Sequence, residues 1–280
     1  MKILVMGASG MLGHLLYSEL KKNHQTWGTV RNKKWDKDLL DGYDIDDLEK
    51  VENLINSKKP DFVINCIGII KQLKASEDKI ISLEVNSLWP HKLASICERH
   101  NAKMIHFSTD CVFAGIKGNY LESDVADARD TYGLTKYMGE VDYPHTLTLR
   151  TSIIGHELIS KISLVDWFLS QDRECKGFSK AIFSGFPTIV MARFLENHVF
   201  KKFVSGVYNF SSEPINKYEL LKLIAKEYHK DIKINPSEEL IIDRSLNSDK
   251  LRKITGFTPP SWPEMIKEMH SHYTESASRR

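Results

Sequence analysis

Residues 2–13 read Lys-Ile-Leu-Val-Met-Gly-Ala-Ser-Gly-Met-Leu-Gly. The apolar run at 2–6 is short and unbroken, the pattern of a strand buried on both faces of a parallel sheet. Gly7, Gly10 and Gly13 follow at once with the spacing G-x-x-G-x-x-G, and an amphipathic helix is expected from there to about Lys22. Strand, glycine turn and helix in that order form a dinucleotide-binding fingerprint. Glycine allows the tight turn, a close main-chain approach to a pyrophosphate, and close helix–strand packing. The helix start adds free N–H groups and the positive end of a dipole.

The next strand, about Gln25–Val30, bears on which dinucleotide is bound. An acid at its end would hold an unphosphorylated ribose. Here Val30 is followed by Arg31, then Lys33 and Lys34, with no acid among them. Arg31 suits a 2′-phosphate, so NADPH is expected over NADH, with NADH as the alternative.

Strands and helices alternate through the first half. Asp47 reads as a helix cap, and Phe62–Ile67, Lys103–Ser108 and Leu147–Ile154 read as strands. The helix beginning near Ile80 is expected to run past Pro90 to about His100, kinked at the proline. This rhythm predicts an α/β fold, a Rossmann-type doubly wound parallel sheet. Ligands of such sheets sit beyond the carboxyl ends of the strands. Gly7, Gly68, Thr109 and Gly155 all fall at those ends. After about residue 155 the rhythm weakens. We therefore expect a dinucleotide-binding domain over 1–155 and a smaller α/β substrate domain over 156–280, with some of its segments packing back on the first.

Two motifs 23 residues apart carry the chemistry: Ser108-Thr-Asp110 and Tyr132-Gly-Leu-Thr-Lys136. Four residues apart on a helix, the phenol and the ammonium share one face, roughly 5–6 Å apart at Cβ. A free phenol has a pKa of about 10, so trading a proton near pH 7 calls for a shift of about 3 units. A lysine ammonium within ~4–6 Å supplies much of that. The Thr109 hydroxyl would converge from the strand end.

Composition bounds the rest. The chain has 280 residues, 41% hydrophobic and 27% charged, with a net charge of +2. That is ordinary globular composition, with no pull toward nucleic acid or a membrane surface. No apolar run reaches the ~18 residues of a membrane span. Cys66, Cys97, Cys111 and Cys175 show no metal-ligand spacing, and no metal is expected. A reducing cytoplasm fits such cysteine usage.

Taken together, the motifs resemble those of the extended short-chain dehydrogenase/reductases, and more narrowly the dTDP-4-dehydrorhamnose reductase-like branch. The matching segments are 7–13, Asn65-Cys-Ile-Gly68, Phe107-Ser-Thr-Asp-Cys-Val-Phe113, Tyr132–Lys136, Leu149-Arg-Thr-Ser-Ile-Ile-Gly155 and Gly185-Phe-Pro-Thr188. Asn247-Ser-Asp-Lys-Leu251, with Gly256-Phe257 and Pro260-Ser-Trp262, is similar to the branch's closing segment. Cys111 departs from the aromatic common at its position, and Met6 from a common Thr.

The resemblance implies that Tyr132 protonates a carbonyl oxygen while a nicotinamide gives hydride to its carbon. It implies that Lys136 tunes Tyr132 and holds the nicotinamide ribose, and that Thr109 hydrogen-bonds the oxygen. Implied cofactor contacts are Ser9, Met11, Leu12, Asp44, Ile45, Cys66, Ile67, Gly68 and Ser108, besides the glycines, Arg31, Tyr132 and Lys136. Candidate substrate contacts are Lys71, Asn86, Asp110, Val112, Phe113, Lys176 and Phe178, with Trp167, Lys180, Arg244 and Arg252 behind them. Asn86 also resembles a helix Asn that supports the site. The expected activity is NADPH-dependent reduction of a 4-keto-6-deoxy nucleotide sugar, dTDP- or UDP-linked. Its product would be an L-rhamnose-type or N-acetyl-L-rhamnosamine-type donor. The alternatives are an epimerase of the same superfamily and a non-catalytic NADP-binding regulatory subunit. A homodimer is suggested by the resemblance alone.

Overall fold

The structure, a computed structural model, describes residues 1–32, 35–70, 78–158 and 160–277. The chain opens with β1 (Lys2–Met6), α1 (Met11–Leu20), β2 (Gln25–Thr29), α2 (Leu48–Lys58) and β3 (Phe62–Asn65). It continues with α3 (Lys79–Leu83), α4 (Trp89–Arg99), β4 (Lys103–Thr109), α5 (Thr131–Met138) and β5 (Thr146–Thr151). Then follow β6 (Ile153–Ile154), α6 (Leu164–Leu169), β7 (Glu174–Phe178), β8 (Ala181–Phe183), β9 (Phe186–Pro187), α7 (Thr188–Phe194) and β10 (Gly206–Asn209). The rest is β11 (Ile215–Asn216), α8 (Lys217–Glu227), β12 (Lys233–Ser237), β13 (Ile242–Asp243), α9 (Asp249–Thr255) and α10 (Trp262–Ala277).

Six strands form one sheet in the order β2-β1-β3-β4-β5-β10, every pair parallel. This is the expected doubly wound arrangement. The order reverses between β1 and β3, where such sheets open a crevice. Register brings the motif-bearing ends level: Met6 lies beside Thr29 and Asn65, and Thr109 beside Thr151. Ile3, Val5, Ile64, Ile105 and Leu149 face a core shared with α1, α7, α8 and α10. Leu4, Met6, Val63 and Met104 face a second core under α2 and α4. Burial on both faces is why these strands read as unbroken apolar runs.

Residues beyond 155 return to the first unit, since β10 extends the main sheet beside β5 and α7 packs on α1. The remaining strands make small sheets, β11-β8-β13, β7-β12 and β6-β9.

The helix expected to kink at Pro90 breaks register earlier. Residues Glu84–Leu88 form a π-helical turn between α3 and α4, and Pro90 lies in the first turn of α4. The backbone stays helical through Leu88 and Trp89, so Pro90 sits inside a continuous helix, and the interruption its missing N–H brings falls at the π turn, where the bonding already changes step. α10 escaped the sequence reading, although Ser261 and Glu264 form one half of a capping box at its start. The Ser261 N–H and hydroxyl both donate to Glu264 Oε2, at 2.8 and 2.7 Å.

Candidate active site

At the carboxyl end of β1 the main chain builds a cradle. Gly7 has φ +82°, and a Cβ there would lie 2.9 Å from the Ile67 side chain. A Cβ on Gly13 would run into the Gly7 carbonyl, so α1 starts hard against the turn. Gly10 is the helix N-cap and no side chain caps it. The first N–H groups of α1 are thus available to phosphate oxygens. Space that side chains would fill, beside a helix start, fits a dinucleotide pyrophosphate.

Arg31 lies just beyond β2 with its side chain 70% exposed, its Nε 3.9 Å from Asp44 Oδ2. Asp44 also accepts from the Ile45 N–H at 2.7 Å. Arg31 and the implied adenosine contacts Asp44 and Ile45 therefore share one rim. The Cys66–Gly68 segment leaves β3 directly beside Gly7, as the Gly7–Ile67 contact shows.

The reactive side chains meet at the ends of β4 and α5. Asp130 caps α5, accepting from the Gly133 N–H at 2.9 Å. Thr109 Oγ1 accepts from the Cys111 N–H at 3.1 Å and donates to Asp110 Oδ1 at 3.2 Å. The Tyr132 phenol lies close enough to Thr109 and Asp110 for both to act on its proton. Burial raises the phenol well above its ordinary value, and neighbouring negative groups add to this while Thr109 opposes it. Lys136 is 6% exposed and its Nζ donates to the Phe107 carbonyl at 2.7 Å. Burial lowers its ammonium to about 8, with Glu140 acting against the shift.

The tuning expected of the pair therefore differs from what is found. Desolvation dominates at both groups, raising the phenol and lowering the ammonium. Tyr132 is held as a proton donor throughout the neutral range.

Below this cluster lies a buried ion pair that sequence reasoning missed. Arg150 donates to both Glu140 oxygens, at 2.8 and 2.7 Å, and the two side chains are 7% and 6% exposed. Ser108 Oγ donates to Glu140 Oε1 at 2.7 Å. The pair ties the end of α5 to β4 and β5. Its signal was a glutamate four residues after Lys136.

Several candidate substrate residues have other places. Asn86 is buried: its Oδ1 accepts from the Ile69 N–H at 2.9 Å, and its Nδ2 donates to the Ile69 carbonyl at 3.2 Å and to Thr135 Oγ1 at 3.5 Å. The whole amide braces the strand exit against α5, so it is a support and not a substrate contact. Gly139 packs so closely on the Asn86 carbonyl that no side chain fits there. Val112 and Phe113 are fully buried in a small core with Tyr120 and Leu246, and Phe113 stacks on Tyr120 at 4.2 Å. Burial removes both from a sugar's reach. Lys176 is exposed on β7, paired with Glu239 at 2.7 Å, and half-buried Phe178 ends the same strand. Lys71 lies outside the described residues. Asp110 stays at the site, its carboxyl raised by burial, with Ser152 and Arg244 opposing the rise. Arg244 comes from the far end of the chain and donates to the Phe113 carbonyl at 2.8 Å.

A parallel doubly wound sheet, a glycine cradle at β1 and a Tyr-x-x-x-Lys helix facing a strand-end Thr define an extended short-chain dehydrogenase/reductase. The chain belongs to the RmlD substrate binding domain family, whose model matches residues 1–275. It is 25% identical to the dTDP-4-dehydrorhamnose reductase of Aggregatibacter actinomycetemcomitans, over 97% of this chain and 99% of that one. It is likewise 25% identical to the methionine adenosyltransferase 2 subunit beta of Xenopus tropicalis, over 93% of this chain and 78% of that protein. Among solved structures, one of a hypothetical dTDP-4-dehydrorhamnose reductase from Sulfolobus tokodaii superposes with a TM-score of 0.80 at 25% identity. That match covers 94% of this chain and 98% of the other. The fold is also that of the Bacillus anthracis dTDP-4-dehydrorhamnose reductase in complex with NADP, with a TM-score of 0.81 at 21% identity. Those chains are covered to 97% and 100%.

Proposed function

We propose that the protein reduces the 4-keto group of a 6-deoxy nucleotide sugar, dTDP- or UDP-linked, with NADPH. The product is an L-rhamnose-type or N-acetyl-L-rhamnosamine-type donor for glycan synthesis. The observation that carries this reading is the convergence of Thr109, Tyr132 and Lys136 beside a glycine cradle, in a chain of this family.

The glycine turn would hold the pyrophosphate on main-chain N–H groups, and Arg31 the 2′-phosphate. Asp44 and Ile45 would line the adenosine rim, and Cys66–Gly68 with Ser108 the ribose and nicotinamide. When bound, the nicotinamide supplies the hydride. Tyr132 Oη donates its proton to the sugar's carbonyl oxygen. Thr109 Oγ1 turns its hydrogen from Asp110 to that oxygen and steadies the charge that gathers there. Lys136, still largely an ammonium at pH 7, steadies the phenolate left behind. Asp110, beside Thr109, and Arg244 would be the sugar and diphosphate contacts nearest the reacting carbonyl, with Lys176 and Phe178 on β7 as more distant candidates.

The likeness to a subunit named methionine adenosyltransferase 2 beta favours a second reading, a binding subunit without turnover. The intact Thr, Tyr and Lys speak for the enzyme. The unpaired state of all four cysteines supports work in a reducing cytoplasm. Exposed Leu88, Leu134, Tyr137 and Met138, beside or on α5, support pairing of two copies.

The test is NADPH oxidation followed optically with three 4-keto-6-deoxy sugars: the dTDP-hexulose, the UDP-hexulose and its 2-acetamido analogue. Consumption with one of them establishes the reductase and names its nucleotide and C2 group. Binding of NADPH without consumption of any would leave the binding subunit.

A further inference from the structure

The loop after β2 is fastened to the glycine turn in a way the proposed chemistry does not explain. Trp35 Nε1 donates to the Ala8 carbonyl at 2.7 Å, and the Ala8 N–H donates to the Thr29 carbonyl at 2.8 Å. The one residue between Gly7 and Ser9 is thus tied to β2 by its N–H and to the following loop by its carbonyl. The indole stands edge-on to Tyr17 and His14 of α1, with ring centroids 5.7 and 6.2 Å away. Lys21, also in contact with Tyr17, reaches Asp38 at 2.8 Å and Asp36 at 3.4 Å.

The loop's ends are closed as well. Val30 donates to the Leu40 carbonyl at 2.8 Å, Leu40 to the Gly28 carbonyl at 2.9 Å, and Gly42 to the Arg31 carbonyl at 3.1 Å. Leu39 and Tyr17 crowd Gly28 so closely that a Cβ there would lie 2.7 Å from each. Arg31 stands at the near end of this closed loop. Among the described residues its side chain has the 3.9 Å pair with Asp44 as its ion pair, and its main-chain carbonyl is fixed by the Gly42 N–H.

We propose that Trp35 is a positioning residue for the cofactor: its indole N–H locks the Arg31 loop to the phosphate-binding turn, setting preference for a 2′-phosphorylated adenosine. This rests on the assignment of Arg31 to that phosphate. The turn itself has further supports, namely the Thr29 bond and the packing of Gly13 on Gly7. Loss of the indole bond therefore loosens the loop more than the turn. The ligand class is a dinucleotide with a pyrophosphate bridge and a further phosphate at the 2′ position of its adenosine ribose.

The test is calorimetric titration of the whole protein with NADPH and with NADH. Trp35→Phe keeps an aromatic ring in the place and removes the donor. A hydrogen bond of ordinary strength predicts NADPH binding about 5- to 10-fold weaker and NADH binding within about twofold of wild type. Arg31→Ala should remove the preference, and Trp35→Phe added to it should then change NADPH binding no further, because residues acting through one contact are not additive. Equal weakening for both nucleotides, no weakening, or an undiminished effect in the Arg31→Ala background each overturns the inference. If Arg31→Ala leaves the preference intact, the assignment of Arg31 itself falls. If it removes the preference while Trp35→Phe does nothing, only the role of Trp35 falls.

Discussion

The two halves of the crevice are built from different material. The cradle at β1 is main chain: it works because Gly7, Gly10 and Gly13 carry nothing, and its donors are N–H groups that every sequence has. The cluster at β4 and α5 is side chain: Thr109, Tyr132 and Lys136 each bring one group, and packing from Asn86, Gly139 and the Glu140–Arg150 pair fixes where it points. At Gly7 and Gly13 the first tolerates no added atom. The second tolerates no lost one. Binding and chemistry are therefore separable by substitution.

That separation can be broken most sharply at Tyr132. Tyr132→Phe removes one oxygen and no packing. Turnover should fall by about 10²- to 10⁴-fold, the usual worth of a positioned proton donor, while calorimetry finds NADPH affinity within about twofold. A large loss of affinity would mean that the two regions are not independent. Gly13→Val should do the reverse at the outset. Its side chain would strike the Gly7 carbonyl, and NADPH binding should weaken by at least about 100-fold, with a lower melting temperature to match. Survival of binding would show that the cradle can shift.

The smallest effect is in pH, and it has opposite signs in the two readouts. Folded Lys136 gives up its proton at about 8, whereas an unfolded lysine keeps it to about 10.4. Between those values the unfolded chain binds more protons, so this group makes stability rise with pH. Turnover should fall over the same window as the ammonium is lost. Melting curves and rate profiles from pH 7 to 10 test both, and Lys136→Met should flatten this group's part of the stability trend. A melting temperature that falls across the window in wild type and Lys136→Met alike would contradict the buried ammonium.

The sequence was legible where the chain alternates and where spacing itself is the signal. Apolar runs located β1, β3 and β4, the first two closed by glycines, and the four-residue step placed Tyr132 and Lys136 on one face. It was less legible where a neighbour decides the outcome. Val112 and Phe113 follow a reactive motif, yet the stacked Tyr120 and distant Leu246 bury them. Asn86 was placed near the site, but its bonds to Ile69 and Thr135 depend on a π-helical turn that no periodicity announces. The direction of the Lys136–Tyr132 shifts depends on burial, which spacing does not report.

The central claim is that a nicotinamide hydride ends on C4 of a nucleotide sugar with Tyr132 as the proton donor. The measurement is turnover with NADPH deuterated at the transferred position of its nicotinamide C4, followed by NMR of the sugar product. The account predicts deuterium at sugar C4 alone, and a rate of label transfer cut by the Tyr132→Phe change. NADPH consumed with no label in the sugar, or label transfer undiminished in Tyr132→Phe, would contradict it.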